Sequence, residues 1–486
     1  MSARTANGLF SAPPAQAVAG SATARAAASE VAMRFMLVLV IAFLTISDAF
    51  EWNPGLAPGL SAKNALLYLL AAALVLKLTI TRDFGFELRG VHVGFALLIG
   101  YAVLSMLAAA FVVGYDRYNL FQSAINLKSR LVDQAIFFLV FFYGLRESRN
   151  AFSIFKVLLC AVAIANLMAM LDAWGIVSIG DIEEREDGRM QGIMGESNQY
   201  AAFVTLFIPA FVAALFHSRG VRRLGWLVAL LISTGALIMA VSRGAFVAVF
   251  VAAVWGGFLL RRHISASKVV GIAGAGLLVI VIAVAALSVR YGDLLYQRVL
   301  GDSSSSDIVG ASSGRTEIWA TAIARMADTP ATLFTGFGWD VYWAMPFRYS
   351  PHNHYISLWF NLGLVGLVCG TMLLVYVVRE ARQAVDRTPV REQQLVLAGF
   401  VFGALGIAIA TFFVDLYTPW LWFWAYAGLV MRIAVNTRIE SRIESQAEVH
   451  GETAMGPRAD AFGWVARAAD TRNSRSRPPQ FQVRER

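Results

Sequence analysis

Apolar stretches of about twenty residues, the length that carries a helix across a bilayer, follow one another along most of this chain with short polar links between them. They predict about twelve helical spans, at roughly 34–50, 64–80, 91–113, 131–146, 152–176, 199–217, 222–241, 244–260, 268–289, 355–378, 395–414 and 417–434. Three stretches break the rhythm. Residues 1–32 are rich in Ala, Ser and Pro and carry Arg4 and Arg25 ahead of any long apolar core. That pattern predicts a disordered tail rather than a cleavable signal peptide. Residues 436–486 are rich in Arg and Glu, with Pro478 and Pro479 near the end, and predict a second disordered tail. Between spans nine and ten lies one long connection, 290–354. The fold class expected is an all-α polytopic membrane domain over 33–435, with no soluble catalytic domain and no internal repeat.

Composition sharpens that reading. The chain is 58% hydrophobic and only 15% charged, against about 25% charged in a soluble domain. The net charge of +9 invites a nucleic-acid partner. The arginines, however, collect in short links and in the C-terminal tail, as membrane orientation demands, so no nucleic-acid partner is expected. With the N-terminus in the cytoplasm, the even-numbered links hold Arg82, Arg89, Arg146, Arg149, Arg219, Arg222, Arg223, Arg261, Arg262, Lys268 and the Arg379–Arg391 group. The short odd-numbered links hold fewer: Lys63, Arg117, Lys128, Arg130, Arg185, Arg189 and Arg243. This asymmetry places both termini inside and the 290–354 loop outside. Cys160 and Cys369 lie within apolar runs and point to neither a disulfide framework nor a metal site.

The outer links carry the unusual chemistry. Arg243, in Ser-Arg-Gly at 242–244, sits where one span ends and the next begins. It reads either as an interfacial arginine reaching for water or as an anion site, since a guanidinium presents a fork of donors that suits phosphate. Arg315 opens a stretch, 312–330, whose Ile318, Trp319, Ala322, Ile323 and Met326 recur at helical spacing up to Pro330. It is either a solvated first-turn residue or a second anion ligand at a helix N-terminus. Behind Pro351, His352 and Asn353 stand at the mouth of the tenth span. A neutral imidazole there can take a proton from a hydroxyl, or simply anchor the helix end. His354 is half a turn away from His352 and the weaker candidate, and no carboxylate or thiol cluster follows at metal-ligand spacing. Lys128 and Arg130 follow an amphipathic stretch and read equally as lipid-phosphate contacts or helix anchors. The acidic segment 180–189 reads as a solvated loop. Two arginines and a histidine on one face suit a phosphate-bearing, lipid-anchored donor and a hydroxyl acceptor.

These residues are similar to those of the O-antigen ligase family, whose members include O-antigen ligases and O-antigen or exopolysaccharide polymerases. His352-Asn353 is followed by nine residues, then Gly363, two more and Gly366, which resembles the family's histidine signature. Ser-Arg-Gly at 242–244 resembles its arginine at a helix junction, and Gly-Arg…Trp at 314–319 its second arginine. Residues 189–203 resemble its Arg-x-x-Gly…Asn segment, with Arg189 and Asn198 at the Arg and the Asn. The resemblance covers roughly 30–435. It implies an inverting, metal-independent and cofactor-free glycan transfer at the periplasmic face of the bacterial inner membrane, on a GT-C-like architecture. Arg243 and Arg315 would bind the diphosphate of an undecaprenyl-diphosphate-linked glycan, and His352 would be catalytic. Asn353, Arg189, Asn198 and Trp319 would assist in substrate binding. The acceptor would be lipid A-core for a ligase, or another lipid-linked glycan for a polymerase. The long loop between spans nine and ten leans to the ligase. A transporter of the same lipid-linked glycan is the reading of a different class, and membrane lipids and a chain-length regulator are the further partners to be considered.

Overall fold

A computed structural model describes residues 15–50, 52–81, 87–177, 189–263, 314–346 and 350–449, together with the isolated positions Gly85, Ala285 and Gly292. The expected span at 268–289, the first part of the 290–354 loop, the acidic residues 180–188 and the ends 1–14 and 450–486 lie outside the described residues. The chain divides into two compact units, one of residues 30–437 and one formed by 1–29 with 438–486. The described part of the smaller unit is helical, and the rest of this account concerns the larger.

Eight helices among the described residues are long and apolar enough to cross a membrane, as expected of an all-α multi-pass membrane protein. They fall within α1 (Ala15–Ala49), α2 (Ala62–Thr81), α3 (Arg89–Leu107, continued by a π-helical turn Ala108–Val113), α6 (Ser148–Ala173), α7 (Ser197–His217), α8 (Val221–Met239), α12 (His354–Arg387) and α13 (Arg391–Ala410). Three further expected spans are helical but differ in character. α9 (Arg243–Leu259) is shorter. The fourth is interrupted: α4 (Leu120–Leu127) passes through a π-helical turn, Lys128–Val132, into α5 (Asp133–Tyr143). The last, α14 (Thr418–Val449), carries Arg432 and three tryptophans within its apolar half. A small hairpin, β1 (Gly55–Ala57) with β2 (Leu60–Ser61), joins α1 to α2. Two loop helices, α10 (Arg315–Asp328) and α11 (Pro330–Thr335), precede α12.

Both expected tails are partly helical. α1 starts at Ala15 and α14 runs to Val449, because Ala-rich and Arg/Glu-rich sequence favours helix even where it cannot form a core.

The core of the larger unit is built around α7, which packs against α13 and α8, while α13 also meets α9 and α12. Glycine lets α13 approach so closely. A Cβ on Gly403 would land on the Leu206 carbonyl oxygen, and one on Gly406 would press on Thr205. Membrane helices associate by such small-residue contacts, since lipid offers no hydrophobic drive between them.

The first turns of α12 are broken at Gly363, whose backbone (φ 63°, ψ −168°) leaves the helical region. The break releases two carbonyls, and the preceding loop takes them up: Phe337 N donates to Phe360 O at 2.9 Å and Gly338 N to Asn361 O at 3.0 Å. The crossing is tight. A Cβ on Gly363 would occupy the position of the Phe334 carbonyl oxygen, and one on Gly336 that of the Asn361 oxygen. Three residues on, a Cβ at Gly366 would overlap the Leu362 side chain. α10 buries Ala322 and Met326 in the same cluster as Phe337, Tyr342 and Phe360. The predicted stripe is therefore right at those two positions, whereas Ile323 stays exposed.

Gly363→Ala would force an L-residue into the left-handed region against a carbonyl. Strain of about 1–2 kcal/mol plus about 1–3 kcal/mol of overpacking is expected, read as a lowered melting temperature in detergent. Gly100→Ala on α3, where an added Cβ meets nothing, should melt no lower than wild type. Equal melting of both variants would show that the crossing is not tight.

Candidate functional site

The α8–α9 junction is a network closed by residues distant in sequence. α8 ends at Met239, Val241 adopts a left-handed φ of 46°, and α9 begins at Arg243. Left-handed backbone is costly for a β-branched residue and persists only where its surroundings enforce it. Here Met190 N donates to Met239 O at 3.2 Å and Arg189 Nε to Ala240 O at 3.1 Å. Arg189 Nη2 also donates to Asn198 Oδ1 at 3.1 Å, and Ser242 Oγ donates to the same oxygen at 3.0 Å. Asn198 Nδ2 in turn donates to Glu196 Oε1 at 2.7 Å. Glu196 caps α7, accepting from Asn198 N and Gln199 N at 3.1 and 3.0 Å. Gly192 completes the Arg-x-x-Gly segment with a φ of 53°, and its missing Cβ leaves room for the Tyr200 ring.

Arg189 and Asn198, expected as secondary substrate contacts, thus have these bonds committed to the protein. They hold the turn that presents Arg243.

Arg315 starts α10 after Gly314, whose φ of 75° suits glycine. Burial pulls the Arg315 pKa down; nearby Glu196 opposes that shift and Arg243 adds to it. Two arginines drawn from stretches some seventy residues apart therefore sit within mutual electrostatic reach, with the Glu196 carboxylate beside them. Trp319, one turn after Arg315, donates from Nε1 to Pro351 O at 2.7 Å. That bond joins the Arg315 helix to the residue before His352.

His352 stands exposed between two buried neighbours, Pro351 and Asn353, with a left-handed φ of 49°. Asn353 is the N-cap of α12: its Oδ1 accepts from Tyr355 N at 3.0 Å and Ile356 N at 3.1 Å. Its side-chain oxygen is thereby used in folding, as asparagine commonly is at this position. His354 donates its backbone N–H to Thr411 O at 2.9 Å, and its ring packs 5.3 Å from that of Trp420.

Three carboxylates at this end of the bundle escape the sequence reading: Glu196, Asp340 and Asp415. Asp415, in the α13–α14 link, is buried and accepts from Ser350 Oγ. Burial pushes its carboxyl up, against the Ser350 hydrogen bond and the neighbouring His352 and Arg130. Asp340, also buried, accepts from Asn126 Nδ2 at 2.5 Å and pairs with Arg130 at 3.4 Å. The Arg130 guanidinium lies 4.1 Å over the Tyr417 ring, a favourable cation–π arrangement. Lys128 pairs with buried Asp133 at 3.0 Å. Lys128 and Arg130 both belong to the π-helical turn, an irregularity that re-aims side chains, and each is matched to a protein carboxylate. Among the described residues no three His, Cys, Asp or Glu side chains form a cluster that could hold a metal ion.

Residues 227–370 match the family model for O-antigen ligase. Arg243, Arg315 and His352 fall inside the matched segment, whereas Arg189 and Asn198 lie before it and Asp415 after it. No curated protein matches the chain.

Trp319→Phe would keep the ring and delete the bond to Pro351. A net hydrogen bond of about 0.5–1.5 kcal/mol predicts that glycan transfer slows about 2- to 10-fold, measured as initial rate on purified protein. A variant as fast as wild type would show that this bond does not hold the His352 turn in a working position.

Proposed function

We propose that this chain, whose residues 227–370 match the O-antigen ligase family model, belongs to that family and transfers a glycan from undecaprenyl diphosphate to a hydroxyl of lipid A-core. The match supports ligase-type glycan transfer in general; donor, acceptor and mechanism are our reading. The observation that carries it is that Arg243 and Arg315 lie within mutual electrostatic reach, with His352 tied to the Arg315 helix through Trp319.

In this reading Arg243 and Arg315 hold the diphosphate, each offering paired donors to its oxygens. The acceptor oxygen attacks the anomeric carbon as His352 takes the hydroxyl proton. The bond from that carbon to the diphosphate oxygen breaks, and its electron pair leaves with the diphosphate, whose charge the arginines stabilise. Attack from the face opposite the leaving group inverts the anomeric centre, and no metal or cofactor is called on. Arg189, Asn198, Asn353 and Trp319 serve by position. The reaction is placed at the periplasmic face of the inner membrane, with both chain termini in the cytoplasm. Joining lipid-linked repeats into polymer uses the same machinery with a different acceptor, and a chain-length regulator belongs to that alternative.

The test is a reconstituted assay in detergent with EDTA present. A lipid-linked glycan is offered with lipid A-core or with more lipid-linked repeat. Glycan on lipid A-core, of inverted configuration by NMR and reduced at least 100-fold in His352→Ala and Arg315→Ala, is the expected result. A ladder on the lipid carrier would make the chain a polymerase. Transfer by His352→Ala at the wild-type rate would remove the histidine from the mechanism, and the absence of transfer to either acceptor would favour a transporter.

A further inference from the structure

The far end of the same helices carries positive charge that glycan transfer does not use. α9 leaves the site at Arg243 and ends at Leu259, a helix of seventeen residues, which is about 25 Å along its axis at about 1.5 Å per residue. α12 starts beside His352 and brings Arg382 and Asp386 to that far end. Between them is a cavity of about 270 Å³ lined by Phe258, Leu259, Arg261, Arg262, Arg382 and Asp386.

Its charges are unevenly matched. Asp386, the one carboxylate among the described lining residues, is taken by His263 at 2.6 Å, and Gln394 Nε2 lies 3.4 Å from the other nitrogen of that ring. Arg382 donates Nε to Leu259 O at 3.3 Å, closing the end of α9. Arg261 lies 4.7 Å over the Phe258 ring. Arg262 is exposed and has no ion pair among the described residues. Among the described residues, three guanidinium groups therefore meet one engaged carboxylate in a cavity with an apolar wall.

We propose that this cavity holds the phosphate of an anionic membrane lipid. Guanidinium clusters suit phosphate oxygens, and basic pockets between membrane helices at headgroup depth take lipid headgroups. On this proposal the cavity, where the apolar run of α9 ends, lies at headgroup depth. It is smaller than the about 300–1,000 Å³ that encloses a whole ligand, so the rest of the molecule must lie outside. The outward face of α9 provides the path: Val247, Phe250, Val251, Val254 and Phe258 recur at helical spacing and are all exposed. A free phosphate would need the guanidinium groups but not this apolar track. The bound lipid would bridge the two helices that carry Arg243 and His354, and the proposal stands whichever glycan acceptor is used.

The experiment uses the full chain in mild detergent, read by native mass spectrometry and thermal melting. The probes are phosphatidylglycerol, phosphatidylcholine and inorganic phosphate. Phosphatidylglycerol should stay bound and raise the melting temperature, with phosphatidylcholine and inorganic phosphate giving neither effect. Arg262→Ala with Arg382→Gln should weaken phosphatidylglycerol retention at least 10-fold. Arg262→Ala alone, at a side chain with no ion pair among the described residues, should weaken it at least 3-fold in a protein that melts normally without lipid. Arg219→Ala with Arg222→Ala, at the same end but off the cavity, should retain it like wild type. Equal retention by the Arg262 variants, equal binding of phosphatidylcholine, or an equal shift from inorganic phosphate would each overturn the proposal.

Discussion

Two like charges held near one another at a partly buried position are the constraint on which this end of the molecule depends. Repulsion between unit charges weakens only slowly with distance where water is partly excluded, and burial already disfavours the charged form of Arg315. Glu196 offsets both effects. Its carboxylate is divided, however, since it also caps α7 and accepts from the Asn198 amide. In the proposed reading a diphosphate is the further anion that bridges them, since its geometry and charge match a pair of guanidinium groups. Holding Arg243 in place requires the left-handed turn at Val241, and that turn is enforced by Arg189, Asn198 and Ser242.

The histidine segment follows a related division of labour. Gly363 allows the break in α12 that the loop at Phe337 and Gly338 pairs with, and Gly366 makes room for Leu362. Asn353 caps the helix, and Pro351 O receives Trp319. Within the run from Pro351 to Gly366 these residues are accounted for by folding, which leaves His352 as the exposed side chain with chemistry to offer. His352 and Arg130 both lie within the electrostatic neighbourhood of buried Asp415, so the histidine has a carboxylate near it rather than standing alone at a helix end.

Sequence alone made the spans legible because twenty apolar residues in a row have few alternatives to a membrane helix. It also singled out Arg243, Arg315 and His352, because each is a polar residue at the edge of an apolar run. Arg189 and Asn198 show the limit of one dimension: an arginine and an amide that hold a turn look the same there as ones that hold a substrate. Asp340 and Asp415 were hidden for a different reason. Asp340 meets Arg130 and Asn126 across more than two hundred residues, and Asp415 meets Ser350 across sixty-five. No local pattern announces such partners. A lone carboxylate between the aromatic runs around Asp415 was the signal available. The helical extensions at Ala15 and Val449 were legible in helix propensity, which polar composition masked.

The central claim is that Arg243 and Arg315 form one anion site. A double-mutant cycle tests it most directly, with the affinity of undecaprenyl diphosphate measured for wild type, Arg243→Ala, Arg315→Ala and the double variant. The account predicts that each single change weakens binding at least 10-fold and that the double change is far from the product of the two, as it is for groups acting on one ligand. Losses that multiply, or a single variant that binds like wild type, would mean that the two arginines serve separate ends and would contradict the account.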